Sequence, residues 1–323
     1  MRRLAPLVAL LALGGCHGQQ AVLGGGGRDD ALFGGLWQIF LIVTIVFYLV
    51  VLAGLTWAVL RRREGGEAVV RTTFYIWVGV VSLTLVGLSI ASWLVDRTMN
   101  RAAHTGLTVE ITAHQWWWDV RYISPGHPDQ TLRTSNELHL PVGVPVQVIL
   151  NSADVIHSFW IPNISGKQDL IPGRNNDIVI TPTRVGIYRS QCAEYCGLQH
   201  AHMAFDVTVE PLATFQQWWG DGLLPARVPA TPEQKAGYAY VTTRECATCH
   251  NISGTPATGK VAPDLTHFAS RATIGAGTFP MNRGHLYAWL ADPQRAKPGN
   301  KMPEIGLEPD QLHAVAAYLE SLK

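Results

Sequence analysis

The chain lacks an excess of charge of either sign: 25 Lys and Arg stand against 24 Asp and Glu in 323 residues, a formal net charge of +1. No strongly acidic or basic partner is implied, and a nucleic-acid-binding role, which rests on a basic field, is disfavoured. Cysteine is scarce, with five residues in all. Each of the five finds a use below, so none is left for a structural disulfide. Internal repeats are missing and low complexity is confined to Gly24–Gly27, which argues against a solenoid. Long apolar runs, by contrast, are present. Length alone allows two or so domains with real cores.

Residues 1–16 read as a signal. Met1-Arg2-Arg3 is a charged start, and the apolar run from Leu4 to Leu13 is too short to span a bilayer. Leu13-Gly14-Gly15-Cys16 resembles a bacterial lipoprotein cleavage site, which would make Cys16 an acylated N-terminus followed by a flexible Gly-rich stretch. Residues 17–104 contain two segments long and apolar enough to cross a membrane, about 36–60 and 74–95. Four arginines in the connector, Arg61, Arg62, Arg63 and Arg71, place it in the cytoplasm. Both ends then lie on the extracytoplasmic, periplasmic side of a bacterial cell membrane, as the signal also requires. Two helices alone would leave most of their surface to lipid, so a larger membrane partner is expected.

From 105 to 220 the pattern turns to alternation. Leu107-Thr-Val-Glu-Ile-Thr, Val146-Gln-Val-Ile-Leu, Asp177-Ile-Val-Ile and Phe205-Asp-Val-Thr-Val, separated by Pro/Gly turns, suggest an all-β Greek-key sandwich. Near its end stands Cys192-Ala-Glu-Tyr-Cys196-Gly-Leu-Gln-His200-Ala-His-Met203. Thiolate and thioether donors select soft metals and imidazole suits copper. A methionine beside cysteine and histidine points to copper and electron transfer. A disulfide between Cys192 and Cys196 is the plainer alternative, and His202 competes with His200 on spacing alone.

The residues Cys192, Glu194, Cys196, Gly197, His200 and Met203 match, position by position, the loop of the binuclear copper (CuA) centre that the segment resembles, that of subunit II of haem–copper cytochrome c oxidases. Asp154-Val-Ile-His157-Ser-Phe-Trp-Ile-Pro, Ala113-His-Gln-Trp116-Trp117-Trp118 and Ile171-Pro-Gly-Arg174 resemble further segments of that family. The resemblance implies a cupredoxin-like fold. It implies Cys192 and Cys196 as bridging ligands, with His157 and His200 binding one copper each. Met203 and the Glu194 carbonyl would be weaker ligands, the Glu194 side chain a ligand for magnesium at the subunit I interface, and Trp116 the residue where electrons arrive. Partners would be subunit I, subunit III and a reduced cytochrome c.

A second redox motif follows a short linker, 221–230. Cys246-Ala-Thr-Cys249-His250 reads as covalent c-type haem attachment with His250 as proximal ligand; a thioredoxin-like dithiol would need a βαβ setting. Thr231-Pro232-Glu233-Gln234 starts a helix with a capping box. Leu312, Val315, Ala316, Leu319 and Leu322 form the apolar stripe of a last one. Residues 231–323 resemble an all-α class I cytochrome c. The distal ligand is Met302, in the loop before the last helix, with Met281 as rival. The chain is thus multidomain: a transmembrane hairpin, a copper sandwich and a cytochrome.

The reading is subunit II of a caa-type terminal oxidase, taking electrons to subunit I for reduction of oxygen to water with proton translocation. A quinol oxidase subunit lacks the copper ligands. A CuA-containing nitric oxide reductase shares them, and a copper-handling assembly lipoprotein would carry no haem motif. Trp117 has a second reading as a membrane-interface anchor; Trp218 and Trp219 read as packing or interface residues, and His114 and His139 as ordinary structural ones. Many relatives carry a glutamate near the start of the second membrane helix for proton uptake. Here only Glu67 lies near enough to substitute.

Overall fold

The computed structural model describes residues 18–61, 66–99, 105–124 and 127–323. The expected signal with Cys16, His104, and Arg62 and Arg63 of the connector lie outside the described residues.

One unit, residues 29–102, holds two long helices, α1 (Arg28–Arg61) and α2 (Glu67–Met99). At 1.5 Å per residue each is about 50 Å long, against about 30 Å of hydrocarbon in a bilayer. Both exceed the expected apolar spans because their ends suit a helix. Asp29 and Asp30 lie in the first turn of α1 and Arg61 in its last, and Glu67 and Arg97 flank α2 in the same sense, complementing the helix dipole. Glu67 therefore heads α2. Phe47 and Trp77 meet across the pair at 5.9 Å. Large apolar side chains such as Ile42, Leu55, Phe74 and Leu83 are exposed all along both helices, a surface that lipid or a membrane partner must cover.

The other unit joins residues up to Arg28 with those from 103 onward. Its sandwich consists of β1 (Leu107–His114), β2 (Trp117–Ser124), β3 (His127–Ser135), β4 (Glu137–Pro141), β5 (Val146–Ser152), β6 (His157–Trp160), β7 (Gln168–Leu170), β8 (Asn176–Ile180), β9 (Gly186–Cys192) and β10 (Ala204–Glu210). They form two five-stranded sheets, ordered β3-β2-β1-β5-β8 and β4-β10-β9-β6-β7. The period-2 pattern works as read: Leu107, Val109, Ile111 and Ala113 of β1 are all buried, and each larger one contributes about 1.5–3 kcal/mol. A helix, α3 (Leu212–Gly222), closes one end. Its Phe215, Trp218 and Trp219 surround Tyr122 with ring centroids 5.2–6.2 Å away, so the two tryptophans are packing residues.

The Gly24–Gly27 run is a correction to the flexible stretch expected after Cys16. Gly26 N–H donates to Asn163 O at 2.9 Å, Gly26 O accepts from Thr183 N at 2.8 Å, and Gly27 bridges Pro182. This segment is bonded along the sandwich because its glycines let the backbones touch.

The C-terminal domain contains α4 (Pro232–Thr243), α5 (Glu245–Cys249), β11 (Thr273–Ile274), β12 (Phe279–Pro280), α6 (Arg283–Ala291), α7 (Pro293–Ala296) and α8 (Pro309–Ser321). The Thr231–Gln234 capping box is formed. Val315, Ala316, Leu319 and Leu322 are buried as the stripe requires. Helices α4 and α8 cross at Gly237, where a Cβ would lie 2.0 Å from Ala314 O; any larger residue would push the helices apart. The small β11–β12 hairpin is an addition to the expected all-α fold, too short to register as period-2 alternation.

Candidate functional site

Strand β6 begins at His157, β9 ends at Cys192 beside it, and β10 leaves just after Met203. The intervening turn must fold back within eleven residues, and that brings its donors together. Cys192 Sγ lies 3.8 Å from Cys196 Sγ, 3.8 Å from His157 Nδ1 and 3.2 Å from the Glu194 carbonyl. Cys196 Sγ lies 3.6 Å from His200 Nδ1 and 3.9 Å from Met203 Sδ. Both thiols are free. His202 points elsewhere, its Nδ1 2.9 Å from Gln199 Oε1. Glu194 is exposed, with one carboxylate oxygen accepting from Tyr195 N at 3.2 Å.

The hydrogen bonds around these donors fix them. His157 Nε2 lies 2.9 Å from Asp154 Oδ1, so the carboxylate holds the proton on Nε2 and leaves Nδ1 to face the thiols. Burial would raise the Asp154 pKa, but bonds from His157, Gln115 N–H, Val155 N–H and Lys301 hold it well below the usual carboxylate range. Gln115 Nε2 and Trp116 Nε1 both donate to the Cys196 carbonyl, at 2.8 and 3.0 Å. Gly197 sits at φ +112°, with Trp116 3.1 Å from where a Cβ would be. The glycine of the motif thus lets the N–H edge of an indole come close to the loop.

The donor set suits a soft cation. The Cys196 thiol donates to Cys192 and, against the opposing pull of burial and with His157 assisting, holds the Cys192 pKa well below the usual thiol value. The same contact, with burial, pushes Cys196 up. Ionising both would set two negative charges 3.8 Å apart in a buried site, a state that a bound cation relieves.

The second site is a cavity of about 390 Å³ whose wall includes Cys246, Cys249, His250 and Met302. The two cysteines stand one turn apart on α5, on one helix face. Both are free thiols. His250 Nδ1 donates to Pro263 O at 2.7 Å, leaving Nε2 as the lone-pair nitrogen. Burial lowers the His250 pKa, with the bond to Pro263 opposing, which suits a neutral ligand. The Met302 loop is braced: Met302 N donates to Asn300 Oδ1 and Gln294 Nε2 to Met302 O, each at 2.8 Å. Met281 packs on the domain core and is not part of the cavity wall.

Residues of the sandwich complete that wall. His114, Gln115, Trp116 and Trp117 line the same cavity. His114 and Trp117 are stacked, with centroids 4.2 Å apart and planes 5° apart. Trp116 is 9% exposed and belongs to the turn before β2. The sequence reading passed over Asp154, Gln115 and the role of His114. Only Asp154 carried a usable signal, an acid three residues before a candidate ligand histidine; the partners of Gln115 and His114 lie on other segments of the sandwich.

Comparison with known proteins matches these two halves separately. The family model described as the periplasmic domain of cytochrome c oxidase subunit II matches residues 120–210, and that described as cytochrome c matches residues 234–323. Cytochrome c oxidase subunit 2 of Alkalihalophilus pseudofirmus is 33% identical over 67% of this chain, which spans 61% of that relative. Cytochrome c oxidase subunit 2 of Bacillus sp. strain PS3 is 32% identical over 81% of this chain and 80% of its own length. Among solved structures, the periplasmic domain of subunit II of cytochrome oxidase of Bradyrhizobium japonicum aligns at 29% identity over 37% of this chain and 95% of that one, with a TM-score of 0.34.

Proposed function

This chain belongs to the cytochrome c oxidase subunit 2 family, and on that premise we propose that it is the membrane-anchored electron-input subunit of a caa-type terminal oxidase. It takes electrons from an external cytochrome c or a similar donor and delivers them to a haem–copper subunit I, where oxygen is reduced to water and protons are translocated. The observation that carries this reading is the clustering of His157, His200, Met203 and the Glu194 carbonyl around the buried pair Cys192 and Cys196, beside a cavity walled by Cys246, Cys249, His250 and Met302.

The first set would hold a binuclear copper centre, and the second a haem bonded through both cysteines. When bound, these groups would supply one-electron redox centres. The chain's own residues do the rest. Asp154 and the strand pairing of β6 with β9 hold His157 in place, so the ligand geometry resists change and the reorganisation accompanying electron transfer stays small. Pro263 and Asn300 orient His250 and Met302, the residues that would hold the haem iron. Trp116, bonded to Cys196 O and covered by the cytochrome domain, serves the fused haem domain and not a carrier diffusing from solvent. Fusion replaces an encounter in solution by an intramolecular one at high effective concentration. The Glu194 carboxylate, exposed next to the copper loop, is the candidate magnesium ligand where subunit I meets this chain.

The test is gas uptake by the detergent-purified complex with reduced cytochrome c, comparing oxygen with nitric oxide, alongside copper and haem content. Fast cyanide-sensitive oxygen consumption is expected, with two coppers and one covalent haem c per copy of this chain. Nitric oxide turnover with little oxygen uptake would reassign the chain to a denitrifying reductase.

A further inference from the structure

The loop that presents Met302 is gripped by the copper domain at several successive residues. Lys297 Nζ donates to the carbonyl oxygens of Trp116 at 3.0 Å and His202 at 2.7 Å, both in the copper domain, and of Gly275 at 2.7 Å in its own domain. Pro298 O accepts from Gln199 Nε2 at 2.8 Å. Gly299 lies against Leu198 and the Trp116 ring. Lys301 Nζ reaches Asp154 Oδ2 at 3.2 Å. Nearby, Ala204 N donates to Ala276 O at 3.0 Å across the same boundary.

Among these contacts Lys297 stands apart. It is 2% exposed, whereas the Lys301 side chain is 66% exposed. Among the described residues Lys297 makes no ion pair; its three N–H donors meet three main-chain carbonyls, which matches the full donor capacity of an ammonium group. Burial pulls its pKa down to about 7, with Cys196 opposing, so a lysine here is costly. An apolar side chain would fill the space more cheaply, and only a three-way donor can tie the two domains at one atom.

We propose that Lys297 is the positioning residue that locks the cytochrome domain onto the copper loop, holding the Met302 loop and Trp116 in the register through which electrons pass between the two sites. The lock acts through Trp116 and the ligand loop and touches neither candidate ligand set. It rests on the proposed function only for its consequence; the lock itself is a statement about two domains.

The experiment uses the purified full-length chain with both centres loaded, comparing wild type with Lys297→Met, which keeps the stem and removes the donors. Amide hydrogen exchange at Ala204, whose N–H crosses the boundary, is expected to speed up at least tenfold, while amides of β1 and α8 keep their protection. Electron transfer between the haem and the copper after rapid reduction is expected to slow at least tenfold, with both optical spectra unchanged. Unchanged exchange at Ala204 together with an unchanged transfer rate overturns the proposal. If Lys297→Met unfolds the cytochrome domain, seen as lost protection of α8, Gln199→Ala carries the same readouts from the copper side, and the same pair of unchanged values there overturns it equally. Absence of copper or haem from the wild-type chain would sink the proposed function and leave the exchange result standing by itself.

Discussion

The imidazole of His157 is held from both sides: Nε2 lies 2.9 Å from Asp154 Oδ1, and Nδ1 faces Cys192 Sγ at 3.8 Å. A carboxylate behind a ligating histidine fixes its tautomer and raises its basicity, and loss of such a partner typically costs about 10–100-fold in metal affinity. Asp154→Ala should therefore weaken copper binding within that range while leaving haem attachment intact. Competition against a graded copper chelator reads this directly. Lys301→Ala is the control, because it removes the other side-chain contact of Asp154 without touching His157. Equal copper retention in the wild type and the Asp154 variant would remove the residue from the site.

The two methionines of the cytochrome domain make a separable pair. Both pack against the domain core, but Met302 lines the cavity with His250 and Met281 is absent from its wall. A Met/His pair raises the iron potential. Met302→Ala should lower the midpoint of the haem on the order of 100 mV, within the span axial ligands command. Met281→Ala should leave the midpoint unchanged and act only on stability. A redox titration showing the reverse assignment would move the distal ligand to the β12 end of the domain.

Much of the copper ligand loop was legible because its donors are nearly all local: four residues of a twelve-residue segment reach one point with no help from distant chain. His157 lies 35 residues away and came only with the family resemblance. The cytochrome motif is local for the same reason, two cysteines on one turn of α5 and the histidine that ends it. What remained hidden was everything that depends on the domains meeting. Lys297 is one of six lysines in the sequence, and nothing near it says that three carbonyls from three segments converge on its ammonium. His114 reads as an ordinary strand residue until Trp117, its cross-strand partner in β2, is seen stacked on it at the cavity wall. The glycines at 24–27 read as a loose tether because close backbone contact and flexibility call for the same residue.

Stability of the sandwich should depend on pH through His139, which lies between Glu137 and Glu210, 3.7 and 2.9 Å away, and stacks on Trp218. Burial lowers its pKa, yet the two carboxylates outweigh that and raise it above 6.5. A raised folded pKa means the stabilisation is fully present below 6.5 and is lost as pH rises through the folded value. For Glu137, burial is outweighed by His139 and Arg271 and the pKa falls below 4.5; its contribution is present above 4.5 and lost as pH falls. The cluster therefore stabilises most between those limits. Thermal midpoints followed by tryptophan fluorescence should decline from pH 6 to pH 8, and His139→Gln should flatten that decline. A slope unaffected by the substitution would assign the pH dependence to other groups.

Gly197 offers the sharpest separation of loop geometry from ligand identity. Its φ of +112° lies where a side chain is strained, and an added Cβ would meet Trp116 at 3.1 Å and Gln115 Nε2 at 3.2 Å. Both of those groups donate to the carbonyl of Cys196, so relief of the contact has to loosen the loop at a ligand. Gly197→Ala keeps every donor atom, yet it should cost about 1–3 kcal/mol of local strain and release copper faster than wild type. Because the cytochrome core is separate from the sandwich core, covalent haem content should be unchanged. Copper off-rates measured into excess chelator, with haem absorbance as the internal standard, distinguish the two effects. A variant that holds copper as long as wild type would show that the loop tolerates the side chain and that the glycine is there for Trp116 alone.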